Sequence, residues 1–163
     1  MSSINYTPEQ LERRNNSIWT PVQGILAPLQ FFTFIISLAL IVNYLTTGNG
    51  YEIATISVLI KILLLWLITI TGMIWEKEIF GQWFLAPEFF WEDTLNAVAL
   101  FMHNLYFVAT LLDWSDQAIM TLMLVAYVSY MVNFAQFFYR GMKARNQRLE
   151  KAAQNQAAQS QTV

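Results

Sequence analysis

The sequence predicts an all-α integral membrane protein: a four-helix bundle with a short N-terminal interfacial helix. Three observations carry this. Four apolar stretches of about 20 residues recur along the chain, the length that crosses roughly 30 Å of hydrocarbon. The composition is 56% hydrophobic and only 12% charged, too apolar for a soluble core of 163 residues to enclose. Short polar segments separate the stretches, as turns at a membrane surface do.

The elements follow in chain order. Thr7 is a good N-cap, Pro8 suits the first helical position, and Gln10 completes a capping box. Residues 7–16 therefore read as a surface helix; a frayed polar tail is the alternative. The spans run from about Ile25 to Leu45, Ile53 to Trp75, Phe90 to Leu112 and Ala118 to Tyr139. Helix is the structure available to them, because lipid cannot satisfy exposed backbone. Residues 46–50, with Gly48 and Gly50, form a tight turn. Residues 113–116 form another, with Ser115 or Asp116 capping the fourth span. The middle link, about Glu76 to Phe89, is longer and mixes acids with aromatics. Residues 1–142 thus make one transmembrane domain. The tail, 143–163, is expected to extend the fourth helix and then become disordered.

The first twenty residues are polar and carry Glu9, Glu12, Arg13 and Arg14, so no cleavable leader is expected. Arg13 and Arg14 precede the first span. Arg140, Lys143, Arg145, Arg148 and Lys151 follow the last, and the two outer turns have no Lys or Arg. This bias places both termini, and with them the middle link, in the cytoplasm. The basic start of the tail is expected to touch anionic lipid. Trp19, Trp75, Trp83, Trp91 and Trp114 fall near the interfaces.

The chain has no cysteine and one histidine, His103. Disulfides, iron–sulfur clusters, bis-histidine haem within the chain and multi-histidine iron sites are excluded. A net charge of −2 points to no nucleic-acid partner.

Glu76, Glu78, Glu88, Glu92 and Asp93 are five of the eleven acids, within eighteen positions, with Lys77 among them. Close carboxylates at a low-dielectric boundary cannot all stay ionised cheaply, so at least one is expected to keep its proton. Such a group can act as a general acid. A solvated acidic loop is the plainer reading, and the interleaved Phe80, Trp83, Phe84 and Phe89 argue against it. On the third span, Glu92, Asn96, Ala99 and His103 fall within roughly 60° of one another. This polar line reaches about 16 Å inward. Asp93 and Asn104 make a second line beside it. Polar groups at this depth face a bundle interior or cavity. His103 reads as a neutral imidazole bonded to a neighbouring helix or as a ligand to the magnesium of a chlorophyll-type pigment. Gln23, Gln30 and Ser37 share one face of the first span, and Asn133 and Gln136 lie on the fourth. Interhelical hydrogen bonds are the plain account of these. Lys61, deep in the second span, would snorkel, pair with an acid or hold a substrate carboxylate.

Several ordered motifs resemble the vinyl bacteriochlorophyllide hydratases. They are Tyr6-Thr7-Pro8-Glu9, the run from Trp19 to Phe31 (WTPVQGILAPLQF), Trp75-Glu76-Lys77-Glu78-Ile79-Phe80-Gly81, Ala86 to Asp93 (APEFFWED) and Asn133-Phe134-Ala135-Gln136-Phe137. The resemblance covers about residues 5–140. It implies a hydro-lyase of bacteriochlorophyll biosynthesis in the inner or intracytoplasmic membrane of a phototrophic bacterium. Such an enzyme adds water to the 3-vinyl group of chlorophyllide or bacteriochlorophyllide, giving a 3-(1-hydroxyethyl) group, and needs no cofactor. The resemblance leaves open the pathway branch, a homo-oligomer and contacts with other pigment-biosynthesis enzymes.

On this resemblance Glu92 or Asp93 would give the proton, Glu76 or Glu78 would orient water, and His103 would be the base or a ligand to the substrate's magnesium. Gln23, Gln30, Trp91, Asn96, Asn133 and Gln136 would line the substrate site. Lys77 or Arg140 would pair with the propionate. A non-catalytic pigment-binding or assembly protein, ligating chlorophyll through His103, is the competing reading. A small proton-coupled transporter using Lys61 is a third, disfavoured by the absence of inverted repeats.

Overall fold

A computed structural model describes residues 6–160. Among these the structure is helical throughout, with no strand. Helix α1 spans Pro8–Asn16, α2 Trp19–Thr47, α3 Tyr51–Phe80, α4 Phe90–Leu111 and α5 Asp116–Ser160. Helices α2, α3 and α4, and Asp116–Lys143 of α5, are long and apolar enough to cross a membrane.

Local chemistry explains the boundaries. Thr7 and Gln10 form the expected capping box at the start of α1. Gly48 ends α2 at φ 73° and Gly81 ends α3 at φ 80°, left-handed conformations that glycine adopts without a Cβ penalty. The Ser115 hydroxyl accepts from the Ala118 N–H, so Ser115 supplies the cap of α5. Two boundaries differ from expectation. Helix α3 runs on through Glu76, Lys77 and Glu78, so the middle connection is only residues 81–89. A run of charges ends an apolar pattern, but it does not end a helix whose backbone can still bond to itself. The tail extends the fourth helix, as expected, and that extension runs as far as Ser160, through the stretch expected to be disordered.

Packing follows a ring. Helix α2 lies on α3, α3 on α4, α4 on α5 and α5 back on α2, while α1 rests on α3. The half of the bundle away from the termini is closed. Ile41, Ala54, Val58, Ile62, Met120, Met123 and Ala126 fill it with essentially no exposure. Outward, Ile25, Phe32, Ile36, Leu63, Phe101 and Val128 are exposed, an apolar belt suited to lipid rather than water. Between the closed half and the termini lies a buried polar layer. There Ser37 bonds to Ser57 at 2.7 Å and to the Tyr127 hydroxyl at 2.6 Å. Lys61 is fully buried in the same layer; its amine donates to the side-chain and backbone oxygens of Gln30 and lies over the Tyr130 ring. Above this layer, toward the termini, the bundle opens.

Candidate active site

The opening is a cavity of about 410 Å³, the size of a small-molecule site. All four spans contribute to it, together with α1 and the α3–α4 loop. On α3, Leu65, Ile68, Thr69, Gly72, Met73 and Glu76 recur at spacings of three and four, so one helical face lines the wall. Trp75, Phe84, Phe89, Tyr130, Phe134 and Phe137 make the rest largely aromatic. Trp75 meets Phe89 edge-on with centroids 5.4 Å apart, and Phe134 stacks on Phe31 at 4.4 Å. Rigid aromatic walls of this kind suit a flat conjugated ring.

Two carboxyls face the cavity, Glu76 and Asp93, exposed by only 5% and 6%. The two side chains approach closely enough to share a hydrogen bond when one of them carries a proton. The α3–α4 loop folds back over the pair. The Leu85 N–H donates to Asp93 Oδ2 at 2.8 Å, and the Ala86 N–H donates to Glu76 Oε2 at 3.3 Å. Leu85 reaches this position at φ 57°, left-handed and unusual for leucine. The site therefore brings two backbone donors and two carboxyls together at the wall of an apolar cavity.

Apart from Arg14 at the rim, uncharged polar groups line the remainder. Asn96 Nδ2 donates to Thr69 Oγ1 at 3.0 Å, and Gln23 Nε2 donates to Thr71 Oγ1 at 2.7 Å. Gln30 Nε2 and Asn133 Oδ1 are buried without a hydrogen-bond partner, and both residues line the cavity. One is a donor and the other an acceptor, so the deep end offers both to a ligand. Among the described residues no three His, Cys, Asp or Glu side chains converge as a metal site.

The other acids are engaged elsewhere. Glu92 pairs with Arg140 at 2.5 Å, and Arg140 also donates to the Glu88 carbonyl. Glu78 accepts from the Ser17 hydroxyl at 2.6 Å. Neither lines the cavity. Lys77 donates to the Gly81 carbonyl at 2.8 Å, Trp91 is 60% exposed, and Gln136 sits outside the lining. His103 is fully buried below the cavity and does not line it. Its Nδ1 bonds to the Ala99 carbonyl of its own helix at 2.7 Å, its ring stacks on Tyr127, and Nε2 has no partner. Thr69, Tyr130 and Arg14 line the cavity without having been singled out for it from sequence. The spacing of Thr69 and Glu76, two turns apart on α3, was the available signal.

The family model for 2-vinyl bacteriochlorophyllide hydratase matches residues 6–143. The chain belongs to this family. The match spans α1, the four membrane segments and every cavity-lining residue named above, and stops where the polar tail begins. A 2-vinyl bacteriochlorophyllide hydratase of Rhodobacter capsulatus is 47% identical over 150 residues, 92% of this chain and 86% of that one. Its counterpart from Cereibacter sphaeroides is 48% identical over 140 residues, 86% of this chain and 88% of that one. No solved structure matches the chain. Within this family framework, the buried carboxyl pair is the feature of the cavity that can perform acid–base chemistry.

Proposed function

We propose that the chain hydrates the vinyl group of a bacteriochlorophyllide in bacteriochlorophyll biosynthesis, with Glu76 and Asp93 as its acid–base pair. Family membership supports the reaction, and the close carboxyl pair in an aromatic cavity supports the residues.

The macrocycle lies against Trp75, Phe89 and Phe134 with its vinyl group at the pair. Asp93 accepts the shorter backbone hydrogen bond, which favours placing the negative charge there and a proton on Glu76. Glu76 transfers that proton to the terminal vinyl carbon, and the carbon–carbon double bond supplies the electrons for the new C–H bond. The cation left on the inner carbon is delocalised into the conjugated ring. A water held by the Asp93 carboxylate adds its oxygen to that carbon. The proton it loses returns to the pair, which is restored, and the product is the 1-hydroxyethyl macrocycle. Asn96 and Gln23 hold the ring edge, while Gln30 and Asn133 meet polar substituents at the deep end.

The cavity opens toward the end of the bundle carrying both termini, which the arginine and lysine bias places in the cytoplasm. A macrocycle without its long alcohol tail would arrive from that side.

The test is incubation of the purified chain with a 3-vinyl substrate in ¹⁸O-labelled water. One labelled oxygen is expected in the product. Glu76→Gln and Asp93→Asn should each lower the rate by about 10²–10⁴-fold, while Glu78→Gln should retain most activity. Full activity in both pair variants, with incorporation intact, would discard the pair as the acid–base centre.

A further inference from the structure

The cavity is lined by one basic side chain, Arg14, from the last turn of α1. Sequence reasoning offered Lys61, Lys77 or Arg140 for a substrate carboxylate; Lys61 is bonded to Gln30 and does not line the cavity, which leaves the other two. The structure engages Lys77 with the Gly81 carbonyl and Arg140 with Glu92 and the Glu88 carbonyl, and neither lines the cavity. Arg14 differs from both. It is half-buried, its guanidinium lies 5.2 Å from the Tyr6 ring centroid, and it takes no part in the ion pair found among the described residues, Arg140–Glu92.

Its position is fixed by contacts that tie α1 to the cavity wall. The Arg14 carbonyl accepts from the Thr20 hydroxyl at 2.7 Å, and the same hydroxyl accepts from Trp75 Nε1 at 3.0 Å. Trp75 is itself a wall residue. Ser17, three residues on, donates to Glu78 at the end of α3. A guanidinium held at the rim of an apolar cavity, half out of water and without a carboxylate partner among the described residues, is a prepared anion site.

We propose that Arg14 binds the free carboxylate of the substrate at the cavity rim, so that the protein selects a tetrapyrrole acid over its ester. A chlorophyllide carries such an acid where a chlorophyll carries a long-chain ester. The carboxylate is anchored at the rim, the flat ring enters between the aromatic walls, and the vinyl group reaches the carboxyl pair. The proposal rests on the hydratase reading for the identity of the macrocycle, and binding tests it without turnover.

The full chain in detergent micelles is titrated with a 3-vinyl chlorophyllide and with its methyl ester, and quenching of tryptophan fluorescence reports binding. Wild type is expected to bind the acid about tenfold or more tighter than the ester. Arg14→Gln should bring the acid down to the affinity of the ester and leave the ester unchanged. Arg14→Lys should recover part of the difference. Arg13→Gln, in the same turn but exposed and outside the cavity, should behave as wild type. Equal affinity of wild type for acid and ester, or equal weakening of both by Arg14→Gln, would overturn the proposal. Hydration is measured separately on wild type. Binding of the acid without hydration would defeat the hydratase reading and leave the role of Arg14 to be decided by the titrations.

Discussion

Glu92 and Asp93 are neighbours in sequence and point about 100° apart on α4. That single step separates a structural acid from one that faces the cavity. Sequence spacing put both near the mouth of a pocket and could not choose between them, because the choice is made by Arg140 on another helix. The same holds for Glu76 and Glu78, which the Ser17 hydroxyl and the α3–α4 loop sort into different environments. His103 was legible as buried and polar, but its bond to Ala99 and its place below the cavity depend on packing against Tyr127. Lys61 shows how a deep amine is tolerated: it donates to both Gln30 oxygens and sits 3.3 Å from the Tyr130 ring centroid. Because Gln30 and Tyr130 both line the cavity, Lys61 positions the floor. Lys61→Met removes a buried polar group whose desolvation costs about 1–3 kcal/mol, and leaves Gln30 Oε1 unpaired, a cost of similar size. The expected result is an unfolding midpoint equal to or above wild type, with KM raised about three- to tenfold and kcat little changed. Thermal unfolding in micelles and steady-state kinetics check this. A lowered midpoint with kcat and KM both lost would make Lys61 a structural residue instead.

At the scale of elements, punctuation in the sequence was readable where it acts locally. The Thr7–Gln10 capping box occurs as expected and the glycine turn is present, shortened to residues 48–50 because α2 continues through Thr47; each depends on residues within a few positions. The extent of α3 was not readable in this way, because hydropathy stops at Trp75 while the helix continues to Phe80. The α3–α4 loop was visible as an acidic, aromatic segment, but its backbone role was hidden. Its key feature is a main-chain N–H at Leu85, and any non-proline residue carries one. Leu85 holds a left-handed φ of 57° to aim that N–H at Asp93, at a conformational cost of about 1–2 kcal/mol. Leu85→Gly keeps the N–H and removes the penalty, so hydration should stay within about threefold of wild type. Leu85→Pro fixes φ near −65° and has no N–H. Losing a hydrogen bond to a charged group is worth about 1.5–3 kcal/mol, so this variant should fall roughly 10–100-fold or further. Equal activity in the two variants would show that the loop backbone does not support the carboxyl pair.

At the scale of the whole molecule, the bundle divides its two tasks between its halves. The half away from the termini is packed around Ile41, Val58, Met120 and Met123, and supplies rigidity. The half at the termini gives up that packing for a cavity, and its buried polar layer separates the two. The elements around the cavity mouth therefore lie at one membrane surface: α1, the α3–α4 loop and the C-terminal end of the fourth span. From the basic residues flanking the first and last spans we propose that this surface is cytoplasmic. The assignment has a direct test, because the chain contains no cysteine and any introduced thiol is unique. Gln82→Cys, in the α3–α4 loop, should react with a membrane-impermeant maleimide only in vesicles that expose the cytoplasmic face. Asn49→Cys, in the α2–α3 turn, should react only in those that expose the opposite face. Both positions are exposed, so the labelling pattern reports sidedness rather than burial. The reverse pattern would place the cavity mouth outside, and substrate would then have to cross the bilayer before reaching Glu76 and Asp93.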